Sequence, residues 1–174
     1  LLPATWKAAE DTPVTSQNKN ENVRVRFSIK NTGATASNYQ FRLQWAAMTG
    51  YSNCTSVPSG NFADTPTTTG SATMMTTSTY FADGDLTTNQ LTSEGTFTSG
   101  RMVEYSYNQT AAITLNQNYF TEIEYNFQFT NNATTGYYCL RVNNAGTNLN
   151  QYTQVAKIWV GANVDEIHYR WRND

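Results

Sequence analysis

In the stretch Thr121-Glu-Ile-Glu-Tyr-Asn-Phe-Gln-Phe-Thr130, four large apolar or aromatic side chains occupy alternate positions, with Glu, Asn or Gln between them. Successive side chains of a β-strand point to opposite faces, so this pattern predicts a strand with one face in a core and the other in water. Asn22–Lys30 and Gln40–Trp45 alternate in the same way. Half-buried strands of this kind are typical of antiparallel sheets.

Short turn sequences separate these stretches, such as Asn31-Thr-Gly33 and Asn131–Gly136. Further strands are expected over Met102–Tyr107, Ala111–Leu115, Tyr137–Val142 and Tyr152–Val160. No window has helical periodicity over twelve residues. Seven to nine strands at this spacing predict one all-β domain over residues 1–174, an antiparallel β-sandwich that is immunoglobulin-like in the broad sense.

The stretch Thr49–Gly100 differs from the rest, because it is rich in Thr, Ser and Gly. It predicts long loops with one or two edge strands. A disulfide between Cys54 and Cys139 would fix this region to the Tyr137–Val142 strand, on the face opposite to its core side chains. Two buried free thiols are the alternative. Cys54 follows the Trp45 strand instead of preceding it, so the bridge would not be the immunoglobulin one.

Composition excludes several classes of function. The net charge is −2 and the pI is about 5.4, whereas a nucleic-acid-binding domain usually has a basic face. No run of about 18 apolar residues is present, so no membrane span is expected. The chain begins at Leu1, without Met or a charged and apolar leader, which predicts a processed protein or a piece of a longer one.

Three Asn-x-Thr glycosylation sequons accompany a low lysine content, with four Lys against 28 Thr and 20 Asn. Together with the predicted disulfide, these features favour an extracellular or cell-surface location. The candidate glycosylation sites are Asn53, Asn108 and Asn132.

Both terminal segments, 1–13 and 164–174, carry an apolar face that needs a surface to pack against. At the end of the chain, apolar residues alternate with His168, Arg170 and Arg172. We therefore expect the two segments to engage neighbouring modules. The predicted subunit-interface residues are Leu1, Leu2, Trp6, Ile167, Tyr169 and Trp171.

Several of these motifs occur together in one family. The ending Tyr169-Arg-Trp-Arg-Asn-Asp174 and the opening Ala4-Thr-Trp-Lys-Ala-Ala-Glu-Asp-Thr12 resemble the two halves of a junction in tandem-repeat β-sandwich surface proteins of bacteria or archaea. The segments Arg26–Gly33, Tyr39–Trp45 and Tyr138–Val142 resemble the same module. The resemblance implies a surface location and assembly more than a chemical activity.

Two arrangements of the ends fit this resemblance. In one, the modules are covalently continuous, and in the other, separate subunits donate a terminal strand into the next subunit's sheet. Strand addition uses main-chain hydrogen bonds and places alternate side chains in core pockets, and a head-to-tail contact that does not close makes a filament. The alternative to both is a tail that folds back on its own subunit. We predict a filament or surface-array subunit whose partners are copies of itself.

The chain offers few residues for catalysis or metal binding, and we predict no enzyme. His168 is the only histidine, and no Gly-x-Ser-x-Gly motif accompanies it. Glu122 and Glu124 could suggest glycoside hydrolysis, but their spacing predicts a solvated strand face. No cofactor is expected. The weak exception is a calcium loop with Asp83, Asp85 and Glu94 as candidate ligands.

A carbohydrate-binding or adhesive module of a larger surface protein is the alternative function. Aromatic side chains on a sandwich can stack on sugars, and four of them lie in the predicted long loops. They are Tyr51, Phe62, Tyr80 and Phe81. These rings could equally cover the edge of the sandwich.

Overall fold

The computed structural model describes residues 5–33, 36–105 and 107–161. These residues form thirteen β-strands and two short 3₁₀ helices, Cys54–Ser56 and Ser59–Asn61, and they contain no α-helix. The strands are β1 (Val14–Gln17), β2 (Asn22–Lys30), β3 (Ala36–Tyr39), β4 (Phe41–Ala47), β5 (Ala63–Asp64), β6 (Thr73–Met75), β7 (Thr96–Thr98), β8 (Met102–Val103), β9 (Ile113–Leu115), β10 (Tyr119–Phe129), β11 (Gly136–Asn144), β12 (Thr147–Asn148) and β13 (Ala156–Val160).

The first sheet has the order β1-β13-β11-β4-β5, and β12 pairs with the end of β11. Its centre is the antiparallel pair of β11 and β4, in register from Tyr138 opposite Ala47 to Asn144 opposite Phe41. β1 lies parallel to β13 and forms one edge of the sheet. The sequence of β1, Val14-Thr-Ser-Gln17, has no alternating apolar pattern, although Gln17 is buried and Val14 packs against the core.

The second sheet is built around β10, a strand of eleven residues. β2 pairs antiparallel along one side of β10, from Asn22 opposite Gln128 to Lys30 opposite Phe120. The short strands β6, β7 and β8 pair with the other side. β2 is therefore the outer strand of this sheet. β3 and β9 form a separate two-stranded sheet.

The two sheets share one apolar core, which makes the fold sandwich-like. The first sheet contributes Leu43, Tyr138, Leu140, Val142 and Ile158, and the second contributes Val23, Ile123, Tyr125, Phe127 and Phe129. The prediction of an all-β fold is confirmed, and so are the core faces predicted for the strands now labelled β10 and β11. A Phe129–Tyr138 ring contact, with centroids 4.9 Å apart, joins the sheets across the core.

The predicted disulfide is also confirmed. Cys54 and Cys139 are bonded at 2.02 Å. Cys139 points away from the main core and lies in a second, smaller apolar cluster with Ala46, Cys54 and Val57. The bridge thus fixes the segment after β4 to the outer face of the first sheet.

Candidate functional site

A groove of about 720 Å³ runs along one edge of the molecule, where β1 and β13 of the first sheet face β2 of the second. Its walls include core side chains such as Val25, Phe27 and Ile158. Val25 and Phe27 lie on the side of β2 that packs against the core, and yet both side chains remain partly exposed. The interior of the sandwich is thus accessible from this edge.

The main chain of β2 is open on its groove side. In β10, main-chain groups of residues 124 and 126 form hydrogen bonds on the side away from β2. The Glu124 N–H donates to the Arg101 carbonyl, and the Asn126 carbonyl accepts from the Thr76 N–H. Alternate residues of an antiparallel strand bond to opposite neighbours, so β10 bonds β2 through its odd-numbered residues. In the register of this pair, odd-numbered residues of β10 lie opposite odd-numbered residues of β2. The odd-numbered residues of β2 therefore form the hydrogen bonds to β10. The outward-facing main-chain groups of β2 belong to Arg24, Arg26 and Ser28.

These outward-facing groups have no hydrogen-bond partner among the described residues. Arg26 illustrates their exposure. Its side chain is only 2% exposed, yet the residue as a whole is half-buried, so the exposed part is its main chain. A nine-residue strand with a free edge can template pairing with another chain. Natural proteins usually shorten, charge or cover such edges.

The segment 5–13 forms one wall of the groove. The Lys7 Nζ donates to the Gln17 Oε1 at 2.5 Å, and the Glu10 carboxylate accepts from the Thr92 N–H and hydroxyl, both at 2.9 Å. Trp6, predicted to lie in an interface, lines the groove and is 60% exposed. The other predicted interface residues, Leu1, Leu2, Ile167, Tyr169 and Trp171, lie outside the described residues, as does His168.

The prediction of a solvated face at Glu122 and Glu124 was wrong. Glu122 is fully buried and Glu124 is 4% exposed. The Arg26 guanidinium lies 2.9 Å from Glu122 Oε2 and 2.5 Å from Glu124 Oε2, and Arg24 lies 2.9 Å from Glu124 Oε1. Two guanidinium groups thus neutralise the two carboxylates on the outer face of the second sheet.

The physical reason is that residues 80–93 fold over this face. The Gln90 and Leu91 N–H groups donate to Glu122 Oε1 at 2.9 and 2.8 Å. The Arg26 Nη1 also donates to the Thr88 carbonyl, and the Ser28 and Ser93 hydroxyls are 2.5 Å apart. Buried charges are tolerated when they are paired and hydrogen-bonded, as these are. The carboxylates therefore anchor a loop and are not open to a substrate.

A second buried arginine organises the outer face of the first sheet. Arg141 lies between the Phe62 ring, at 3.9 Å, and the Tyr152 ring, at 4.7 Å. It donates to Gln44 Oε1 at 2.9 Å and to Asn148 Oδ1 at 2.7 Å. Burial lowers the pKa of the Arg141 guanidinium, and the nearby Tyr152 opposes this shift. A cavity of about 230 Å³ lies beside it.

The four aromatic residues predicted to bind sugar are not equivalent. Phe62 packs on Arg141, and the Tyr51 hydroxyl accepts a hydrogen bond from Asn61 Nδ2 at 3.0 Å. Tyr80 and Phe81 lie over Arg24, with ring centroids 4.9 and 5.8 Å from its Cζ. Tyr80 is 53% exposed, whereas the other three are half-buried. Two further tyrosines are more than half exposed: Tyr105 and Tyr107.

The calcium candidates make other contacts. Asp83 Oδ1 accepts from the Glu104 N–H at 3.0 Å, and Asp85 Oδ2 accepts from the Ala82 N–H at 2.9 Å. Partial burial raises the pKa of the Asp83 carboxyl, and the charge of Glu104 adds to this, although the Glu104 N–H opposes it. The Glu94 side chain is 97% exposed and lies 4.0 Å from Lys30 Nζ. No cluster of three metal-ligating side chains occurs within the described part of the chain.

The three sequons lie in different surroundings. Asn53 is exposed and caps the first 3₁₀ helix through its side-chain oxygen, and its Nδ2 donates to the Ser52 hydroxyl at 3.4 Å. Asn132 is exposed and donates from Nδ2 to the Thr69 carbonyl at 3.1 Å. Asn108 is half-buried, and Thr110 of its sequon is 3% exposed because its hydroxyl accepts from the Phe41 N–H. Asn53 and Asn132 are thus more accessible than Asn108.

No family model matches the chain, and neither the curated proteins nor the solved structures include a significant match. Across the described residues, no helix is both long and apolar enough to cross a membrane. The open edge of β2 beside the groove is the candidate binding surface of the described chain, and sequence periodicity gave no signal for it.

Proposed function

We propose that this protein is a structural subunit of an extracellular filament or surface array, assembled head-to-tail from copies of itself by strand donation. The observation that carries the proposal is the free edge of β2 beside an open groove into the core. An exposed edge next to unfilled core positions favours binding of an extended strand. The alternating apolar residues of the segment 164–174 provide such a strand.

Other parts of the proposal have weaker support. The Cys54–Cys139 disulfide is typical of an oxidising compartment, which favours an extracellular location, and the exposed Asn53 favours glycosylation there. We propose that the sandwich is immunoglobulin-like and that its long loops decorate the surface. We also propose that it resembles the tandem-repeat surface modules, that it has no enzymatic activity and that it needs no cofactor.

Deletion of residues 165–174 tests the proposal. We expect a folded chain that no longer polymerises, because the core cluster of the described residues and the disulfide are built without residues 165–174. Electron microscopy of the purified protein would show fibres for the full chain and none for the deletion, while circular dichroism would show unchanged β-structure. Fibres formed by the deleted chain would contradict the assignment.

A matched pair of variants separates the two faces of the tail. Replacing Ile167, Tyr169 and Trp171 together by Ser removes the apolar face and should abolish fibres. Replacing His168, Arg170 and Arg172 by Ser alters the polar face by the same number of residues and should leave fibres in place. Equal effects of the two triple variants would argue against strand donation.

Carbohydrate binding is the second candidate function, favoured by the exposure of Tyr80, Tyr105 and Tyr107. On a glycan array, we expect binding to fall about 5-fold or more on Tyr80→Ala, since one ring contact to a ligand is worth about 1 kcal/mol or more. Tyr51→Ala is the matched control, because that ring is half-buried and bonded within its own loop. Absence of binding to any glycan would exclude this function.

A further inference from the structure

We infer that the free edge of β2 is the acceptor site, and that residues 164–174 of a second copy of this chain bind there as an added strand. The inference rests on the proposed function and names the two surfaces that meet. Two properties of the molecule carry it: the unpaired main chain of β2, and the apolar side chains exposed in the groove beside it.

The main chain sets the length of the site. Arg24, Arg26 and Ser28 present their N–H and C=O groups to the groove side, and β2 extends over nine residues. The segment 164–174 contains eleven residues and no proline, so every residue of it can donate to a ladder. The other outer strands of the two main sheets in the described chain, β1, β5, β6, β7 and β8, have two to four residues each. β2 is thus the one outer strand among them that is long enough.

The side chains fit the same register. Within β2, Val25 and Phe27 point toward the core side of the groove, and Arg24 and Arg26 point to the outer face. In an added strand, alternate residues would occupy these two sides. The apolar residues Ile167, Tyr169 and Trp171 would then enter the groove. His168, Arg170 and Arg172 would lie on the outer face, where Arg24 and Arg26 are already neutralised by Glu122 and Glu124.

The path of the chain favours a second copy over the chain's own tail. β13 ends at Val160, and the Gly161 N–H donates to the Gln17 carbonyl at the end of β1, in the first sheet. β2 belongs to the other sheet, about 10 Å away. The turn 18–21 already joins β1 to β2 at that end. The chain's own tail would start beside the first residues of β2 and could pair with it only in parallel, whereas a tail from another copy can also pair antiparallel.

Amide hydrogen exchange of the full-length chain, before and after assembly, tests the acceptor. Formation of main-chain bonds should slow exchange at Arg24, Arg26 and Ser28 by about 100-fold or more. Val25 and Phe27 bond to β10 in both states and serve as the internal control. If fibres form but exchange at Arg24, Arg26 and Ser28 does not change, the acceptor assignment is overturned and the proposed assembly still stands. If no fibres form, the proposed function fails, and this inference fails with it.

Cysteine cross-linking identifies the donor. A full-length Ser28→Cys chain is mixed with a differently tagged chain carrying His168→Cys, Arg170→Cys or Arg172→Cys, and the mixture is oxidised. We expect a mixed-tag dimer for at least one pair, and none when Thr147→Cys, on the exposed strand β12, replaces Ser28→Cys. A doubly substituted chain that cross-links to itself below the assembly concentration, without mixed dimers, would assign the site to its own tail and overturn the inference.

Discussion

Glu122→Gln is expected to lower the free energy of unfolding by about 3–5 kcal/mol, the usual cost of breaking a buried ion pair from one side. The Glu122 carboxylate is fully buried and accepts hydrogen bonds from Arg26 Nη1, Gln90 N–H and Leu91 N–H. A Gln side chain has nearly the same shape, but it has no charge and turns one NH₂ group toward these donors. At least one donor and part of the Arg26 charge would be left buried without compensation.

Urea unfolding followed by tryptophan fluorescence measures this loss. The matched control is Glu94→Gln, since the Glu94 side chain is 97% exposed and lies 4.0 Å from Lys30. That change should alter the free energy of unfolding by no more than about 0.5 kcal/mol. Equal stabilities of the Glu122 and Glu94 variants would mean that the carboxylate is solvated, as the sequence alone suggests.

This carboxylate also marks a limit of what sequence periodicity can predict. Alternation at Asn22–Lys30 and Thr121–Thr130 identified the strands now labelled β2 and β10, because burial of one face requires apolar residues at every second position. The alternation shows that the two faces of each strand differ in polarity. It does not show which part of the chain covers the polar face. The loop of residues 80–93 covers the polar face, and it lacks a regular pattern because it binds through single hydrogen bonds such as that from Leu91 to Glu122.

The candidate site could likewise be predicted only in part from the sequence. The apolar face of the segment 164–174 was visible in the sequence as a surface in need of a partner. The open edge of β2 was not, because which side of a strand is paired depends on the order of strands in the sheet. The short strands β1 and β7 were also missed, since main-chain pairing with β13 and β10 holds them in place. Periodicity therefore indicated a candidate donor segment, whereas only the structure shows the open edge of β2 that we propose as its acceptor.

Removing the disulfide should have an effect as large as the Glu122 substitution. The bridge between Cys54 and Cys139 closes a loop with a sequence separation of 85 residues. Opening such a loop releases chain entropy in the unfolded state worth about 4–5 kcal/mol in the chain-entropy model. We therefore expect the Cys54→Ala/Cys139→Ala chain to unfold at a markedly lower urea concentration than the wild-type chain.

The measurement needs a control for lost packing, because both half-cystines lie in the small apolar cluster with Ala46 and Val57. Val57→Ala removes two methyl groups from that cluster, keeps the bridge, and should cost about 1–2 kcal/mol. The groove beside β2 lies at the edge of the sandwich, whereas the bridge lies on the outer face of the first sheet, so the double variant should still form fibres at low temperature. A double variant no less stable than Val57→Ala would show that packing, and not the cross-link, holds the segment after β4 in place.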